Sequence, residues 1–197
     1  ANHIAREVTL QVNDEKEIKP LKEVVESLSS YSTAQLSSKE IDYSRVLLQT
    51  ETKEVGKQKV QIHRLSIPRG ETFKVVLSEG TEVFLNSDSR LAYPTVFKGK
   101  ERVVSLEGEA YFKVAKDAAH PFIVKSGNLQ IRVLGTEFNV RSYSPTDVRV
   151  TLITGKVAVS DTCGVHSVEM VPGQSVQLSS DGTFAVNEVD IESFLYW

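Results

Sequence analysis

An all-β fold, a jelly-roll-like antiparallel β-sandwich, is what this sequence predicts, and three observations predict it. Apolar and polar residues alternate with period two in many short runs, the pattern of a strand with one face buried. From Gly70 to Gly182 the glycines recur about every nine or ten residues, or about twice that, which is the spacing of turns between short strands. Across the same stretch no 3.6-residue periodicity intervenes, so the alternating helices of a parallel α/β fold are excluded. A β-solenoid would also show regular turns, but its repeats should align with one another, and these do not. A flattened solenoid-like arrangement is therefore the reserve reading.

Taken in order, residues 7–12 alternate as a strand. In Pro20-Leu-Lys-Glu-Val-Val-Glu-Ser-Leu28, the residues Leu21, Val24, Val25 and Leu28 share one helical stripe, with Pro20 close to a tolerated first-turn position. One short N-terminal helix is expected there, although two β-branched valines lower its propensity. Residues 27–38 form a serine-rich connector. Strands are expected over 46–49 and 59–67, around a polar loop at 50–57. Further strands are expected over 72–77, 82–85, 102–106, 129–133, 138–140, 148–152, 175–178 and 184–186. Gly108 and Gly135 read as turns that break longer apolar runs. Alternation puts Val104, Leu106, Phe112, Val124, Val133, Phe138, Val140 and Leu152 in the core.

A chain of 197 residues can bury a substantial core, and 40% hydrophobic with 25% charged residues is ordinary globular composition. A net charge of −3 and a pI near 5.9 argue against an electrostatic footprint for nucleic acid. No apolar run reaches the roughly 18 residues that a membrane-spanning helix needs. With Ala1 at its start and the apolar run Phe194-Leu-Tyr-Trp197 at its end, the chain reads as an excised soluble piece of a longer protein. Four bulky residues at a terminus call for a cover, so Leu195, Tyr196 and Trp197 are candidate interdomain contacts.

The chemistry-bearing residues point to no enzyme. Glu107 and Glu109 flank Gly108, and paired carboxylates can hydrolyse glycosides. At a tight turn, however, two glutamates are expected simply to face water. His3, His63, His120 and His166 lack metal-ligand spacing, and the single cysteine, Cys163, has no sequence-adjacent base. No glycine-rich loop opens a helix to cradle phosphate, and no nucleophile elbow is present. Catalytic, metal and cofactor sites are all expected to be absent. The aromatics Tyr93, Phe97, Tyr111, Phe112, Phe122, Phe138 and Tyr143 lie mostly on strands, where core packing is commoner than a sugar-stacking platform.

Two stretches say most about function: Ser105-Leu-Glu-Gly-Glu-Ala-Tyr-Phe-Lys-Val114 and Leu134-Gly-Thr-Glu-Phe-Asn-Val140. They stand in an ordered series with Ser66-Ile-Pro-Arg-Gly-Glu71, with the block from Val76 to Leu91, and with Tyr93-Pro94 and His120-Pro-Phe-Ile-Val124. Thr151-Leu-Ile-Thr-Gly-Lys-Val-Ala-Val159 and Val171-Pro-Gly-Gln174 close it. This series resembles the periplasmic domain of FecR-type proteins, transmembrane anti-sigma factors that regulate sigma factors, in a form like that of Bacteroidetes. A departure is Ser78-Glu79, where the family usually carries proline or alanine and then aspartate.

Residues 1–64 read as N-terminal strands and a short helix packing on the sandwich, because a separate domain of about sixty residues would have a marginal core. The resemblance implies 65–189 as the FecR-like β domain and 190–197 as the start of a linker to a further C-terminal domain. It also implies a parent protein that crosses the inner membrane once, with this part in the periplasm. A cytoplasmic segment would bind an extracytoplasmic-function sigma factor. The further domain would contact the signalling domain of an outer-membrane TonB-dependent transporter, so that capture of a siderophore or glycan controls transcription of uptake genes. The alternative is a carbohydrate-binding, lectin-like β-sandwich. An apolar span encoded just before Ala1, beside sigma-factor and transporter genes, separates the two.

Overall fold

The structure, a computed structural model, describes residues 7–28, 35–45, 60–179 and 181–194. The strand expected over 46–49 and the loop at 50–57 lie outside the described residues, as does His3. The chain opens with β1 (Thr9–Val12), β2 (Lys19–Pro20) and the helix α1 (Leu21–Leu28). Pro20 immediately precedes the first helical residue, a position where its missing N–H costs nothing. Leu21 and Val24 are buried on the core-facing stripe. Two short strands follow, β3 (Gln35–Leu36) and β4 (Glu40–Asp42). Then come β5 (Ile62–Ile67), β6 (Phe73–Val76), β7 (Glu82–Leu85), β8 (Ser89–Pro94) and the long β9 (Arg102–Lys113). Beyond them lie β10 (Phe122–Ser126), β11 (Leu129–Val133), β12 (Glu137–Ser144), β13 (Asp147–Thr154) and β14 (Val157–Asp161). Finally β15 (Ser167–Met170), β16 (Gln174–Leu178) and β17 (Phe184–Glu188) lead into one 3₁₀ turn at Ile191–Phe194.

These strands make two sheets that share β9. The first runs β2–β1–β5–β8–β9–β10–β11–β14–β15. The second runs β3–β4–β6–β7–β9–β12–β13–β16–β17. From β10 onward the chain lays down two strands in one sheet and crosses to the other, so each crossing ties the layers together. All pairings are antiparallel except β9–β10 and β4–β6. The architecture is the all-β, sandwich-like class that the alternation and glycine spacing predict. A solenoid of stacked parallel coils is not what the hairpins build.

Between the sheets lies one continuous apolar core, and all eight residues assigned to it from the sequence are buried. The clearest tie between layers is aromatic. Phe112 on β9 stacks on Phe138 of β12 at 5.0 Å, within the second sheet. It also meets Phe122 of β10, in the first sheet, edge-on at 6.2 Å. Such pairs add about 0.5–1.5 kcal/mol beyond the area they bury.

One expectation is corrected. Residues 105–114 were expected to be a strand, a tight turn and a second strand; instead β9 runs unbroken through Gly108. Its first half pairs with β8 and β10, its second half with β7 and β12. Gly108 is where the strand passes from one sheet into the other. Its φ is +93°, and an added Cβ would stand 2.7 Å from the Ser89 Cα. A side chain is therefore excluded twice, by backbone conformation and by the neighbouring strand. Gly135 fits the expectation of a bend: it sits between β11 and β12, where the chain changes sheets, with its would-be Cβ 2.8 Å from Lys116 Cα.

Candidate functional site

Three polar clusters stand out on this scaffold. The first surrounds Arg102, the first residue of β9, which is only 3% exposed. Its guanidinium ion-pairs Glu79, which sits in the β6–β7 turn. Nε donates to His120 O at 2.7 Å, Nη1 to Ala115 O at 2.9 Å and Nη2 to Asp117 O at 3.4 Å. The planar fork thus satisfies the carbonyls of a loop that carries no ladder of its own. Its far side lies 5.3 Å from the Phe122 ring. Glu79 also accepts from Thr81 N at 3.0 Å and Thr81 Oγ1 at 2.9 Å. The departure at Ser78-Glu79 therefore keeps a carboxylate, here the partner of a buried arginine. Four protein acceptors converge on the buried guanidinium, so this arrangement is a clamp on residues 114–121.

The second cluster lies where β9 enters the second sheet. Glu109 accepts from Asn86 Nδ2 at 3.2 Å and from Asn139 Nδ2 at 3.0 Å, while Ser89 Oγ receives the Glu109 N–H at 2.9 Å. Two positions along, Tyr111 donates to Glu137 Oε2 at 2.8 Å. Burial and that carboxylate push the phenol well up from its ordinary value. Glu107 instead stays exposed and faces Arg90 at 3.4 Å. The expectation of two solvated turn carboxylates is thus half corrected. Glu107 is solvated, whereas Glu109 is tied into the sheet by two amides. The two look to different partners on different sheets, so they do not form the facing pair that glycoside hydrolysis needs.

The third cluster joins Tyr43, just past β4, to His63 on β5 and Tyr93 on β8. Tyr43 Oη lies 2.8 Å from His63 Nδ1 and 2.9 Å from Tyr93 Oη, and His63 Nε2 lies 3.3 Å from Gln61 Oε1. All three rings are buried and meet edge-on. Burial lowers the His63 pKa to about 4 and raises that of both tyrosines.

The remaining candidates from the sequence fall apart in space. His120 bonds Asp117 at 2.8 Å in an exposed turn, and His166 bonds Asp161 at 2.9 Å in another. Each holds its aspartate below the usual carboxylate range. Cys163 is exposed in the β14–β15 turn. Among the described residues no group of three His, Cys, Asp or Glu is placed to hold a metal ion. Tyr93, Phe112, Phe122 and Phe138 are buried, so they supply no sugar platform; Tyr143 is 47% exposed but gives its hydroxyl to Ser87 O at 2.9 Å. Two open depressions of about 180 Å³ lie on the second sheet. Ligand sites commonly measure about 300–1,000 Å³. Leu195, Tyr196 and Trp197 lie outside the described residues.

Sequence reasoning singled out neither Arg102 nor Tyr43 for a role. A lone arginine opening an apolar run, with an acidic residue kept before a turn glycine, was the available signal for the first. None was available for the second, whose partners are 20 and 50 residues away.

Comparison with known proteins agrees in its outline. A family model described as FecR protein matches residues 63–158. Two crystal structures of a "putative anti-sigma factor" from Parabacteroides distasonis, at 2.50 and 1.65 Å resolution, are similar to this chain. The first is 32% identical with a TM-score of 0.65, the match covering 69% of this chain and 64% of that one. For the second the identity is 32% and the TM-score 0.63, with 66% and 62% covered. The chain thus spans less than two thirds of either neighbour. No curated protein matches it.

Proposed function

Because this chain carries a FecR domain, of which residues 63–158 match the family model, we propose that it is the periplasmic part of an anti-sigma regulator. One observation carries the reading: two crystal structures described as a putative anti-sigma factor are similar to this chain at 32% identity, over 69% and 66% of its length. In this reading residues 1–64 pack onto the sandwich, 65–189 form the FecR-like domain and 190–197 begin a linker. The parent protein crosses the inner membrane once. A cytoplasmic segment binds the sigma factor, and a further C-terminal domain meets the signalling domain of a TonB-dependent transporter. Leu195, Tyr196 and Trp197 pack where the two domains join. The sandwich itself is a rigid spacer and scaffold, with no chemistry to perform.

The rigidity follows from the packing. Strands that alternate between sheets resist shear, and the clamp fixes the connection from β9 to β10 onto the first residue of β9. A transcriptional reporter driven by the cognate sigma factor, in cells carrying the full-length gene, tests the assignment. Deleting the gene should uncouple the reporter from the transporter's ligand. Complementation with Glu107→Gln and Glu109→Gln should restore coupling, since neither carboxylate has a catalytic role. A deletion strain that still responds fully to ligand would remove the regulatory reading. Glycosidase activity in the purified protein, lost in either glutamine variant, would replace it with an enzymatic one.

A further inference from the structure

Tyr43 lies before the segment that matches the FecR family and His63 is that segment's first residue, so their contact bridges a seam in the chain. We propose that Tyr43, His63 and Tyr93 form an acid-sensitive latch that holds the β3–β4 arm against the sandwich and frees it as the pH falls. The arm, residues 35–45, belongs to the edge of the second sheet through the β4–β6 pairing. Tyr43 N–H continues that pairing by donating to Val76 O at 2.8 Å. Its side chain, however, reaches the other layer, where His63 and Tyr93 stand opposite each other on β5 and β8 of the first sheet. The phenol of Tyr43 therefore links the arm of the second sheet to the interior of the first.

The hydrogen-bond order in this cluster has a direction. Gln61 Oε1 takes the proton on His63 Nε2, so Nδ1 is the acceptor and Tyr43 donates to it. The Tyr43 oxygen is then left to accept from Tyr93. Every proton in the chain has a place as long as the imidazole is neutral. Adding one at Nδ1 turns two donors toward each other. Tyr43 must swing its proton to Tyr93, whose own hydroxyl hydrogen then loses its acceptor. A buried cation also appears where all three rings are enclosed, and burial without compensation is what makes such a charge costly.

Among the described residues, none of the strand positions facing His63 carries a charge that would offset it. From β1 the residue opposite His63 is Val12, from β8 it is Tyr93, and from the arm it is Tyr43. Both phenols are themselves pushed up by burial and give up no proton in this range. Arg64 is directed to Asn13 O and Asp14. Asp42 of the arm accepts from its own Ser44 N–H, and Glu40 pairs with Lys74. Burial alone acts on the His63 ring.

The sign follows from linkage. The closed arm holds His63 at a pKa of about 4, against 6.5 when the ring is exposed. Closing is therefore undisturbed above about pH 6.5 and is weakened progressively as the pH falls toward 4. Between about pH 7.5 and pH 5, the opening equilibrium of the arm should rise about 30-fold.

Amide hydrogen exchange on this chain, expressed as protection factors so that intrinsic rates divide out, reads that change directly. The Tyr43 and Lys74 amides, which close the arm onto β6, should lose about 30-fold in protection over this range, while the β9–β12 ladder changes little. His63→Gln, neutral at every pH, should flatten the response. Following the His63 ring by NMR in the unmodified protein needs no variant, and it should titrate far below its ordinary value. Three results each overturn the latch: a ring that titrates near 6.5 with the arm still protected, an equal loss of protection in the β9–β12 ladder, or the same pH response in His63→Gln.

Discussion

Replacing Arg102 with methionine should cost this protein about 3–5 kcal/mol, among the largest losses available to a single substitution. The size comes from what is left behind. Methionine fills much of the volume but supplies no donor, so Glu79 keeps a charge in a pocket where its side chain is 18% exposed. The carbonyls of Ala115, Asp117 and His120 lose their shared partner as well. A buried group stripped of its hydrogen bond costs more than the bond contributed, because it no longer has water to fall back on. Chemical denaturation of the variant should show the loss. Adding Glu79→Gln to Arg102→Met should return part of it, by removing the uncompensated charge. A change below about 1 kcal/mol for Arg102→Met would mean that the pair behaves like an exposed surface bridge. The connection between β9 and β10 would then be held by other means.

Phe138→Ala should be comparably damaging, at about 3–5 kcal/mol. Phe138 is fully buried and lies flat on Phe112, 5.0 Å between centroids, and Phe112 in turn meets Phe122 across the layers. Truncation removes one slab of an aromatic stack. The neighbours are β-ladder residues whose backbones cannot collapse into the space. Phe138→Leu, which keeps most of the volume, should recover more than half of the stability. Equal losses for Leu and Ala would point to the stacking geometry rather than the cavity as the source. A midpoint unchanged in Phe138→Ala would mean that the inward face of β12 has been misassigned.

Much of this fold was legible because one face of most strands is buried, so alternation writes itself into the sequence. The strands at Glu82–Leu85 and Leu129–Val133 have the limits that alternation gave them, and the eight core positions follow from the same parity. Gly108 misled for a physical reason. A positive φ serves a turn and a strand changing sheets equally well, and only the partner strands distinguish the two. β8 was missed because Ser89 and Pro94 at its ends resemble loop residues, although inside the sheet Ser89 binds the Glu109 N–H. The polar clusters were harder still. Arg102 and Glu79 lie 23 positions apart, and Tyr43 and Tyr93 lie 50 apart. A charged or phenolic residue is locally indistinguishable from a surface one until its partner is placed. Those pairings belong to topology, which periodicity does not encode.

We propose that this domain is the scaffold of a signalling relay, with the receptor surface lying beyond residue 189. Titrating the transporter's signalling domain by calorimetry against two proteins tests it: residues 1–197 alone, and the same residues extended through the following domain of the full-length gene. The extended protein should bind more tightly by at least about tenfold, or about 1.4 kcal/mol. Equal affinity for the two would place the docking site on the sandwich itself and contradict the account.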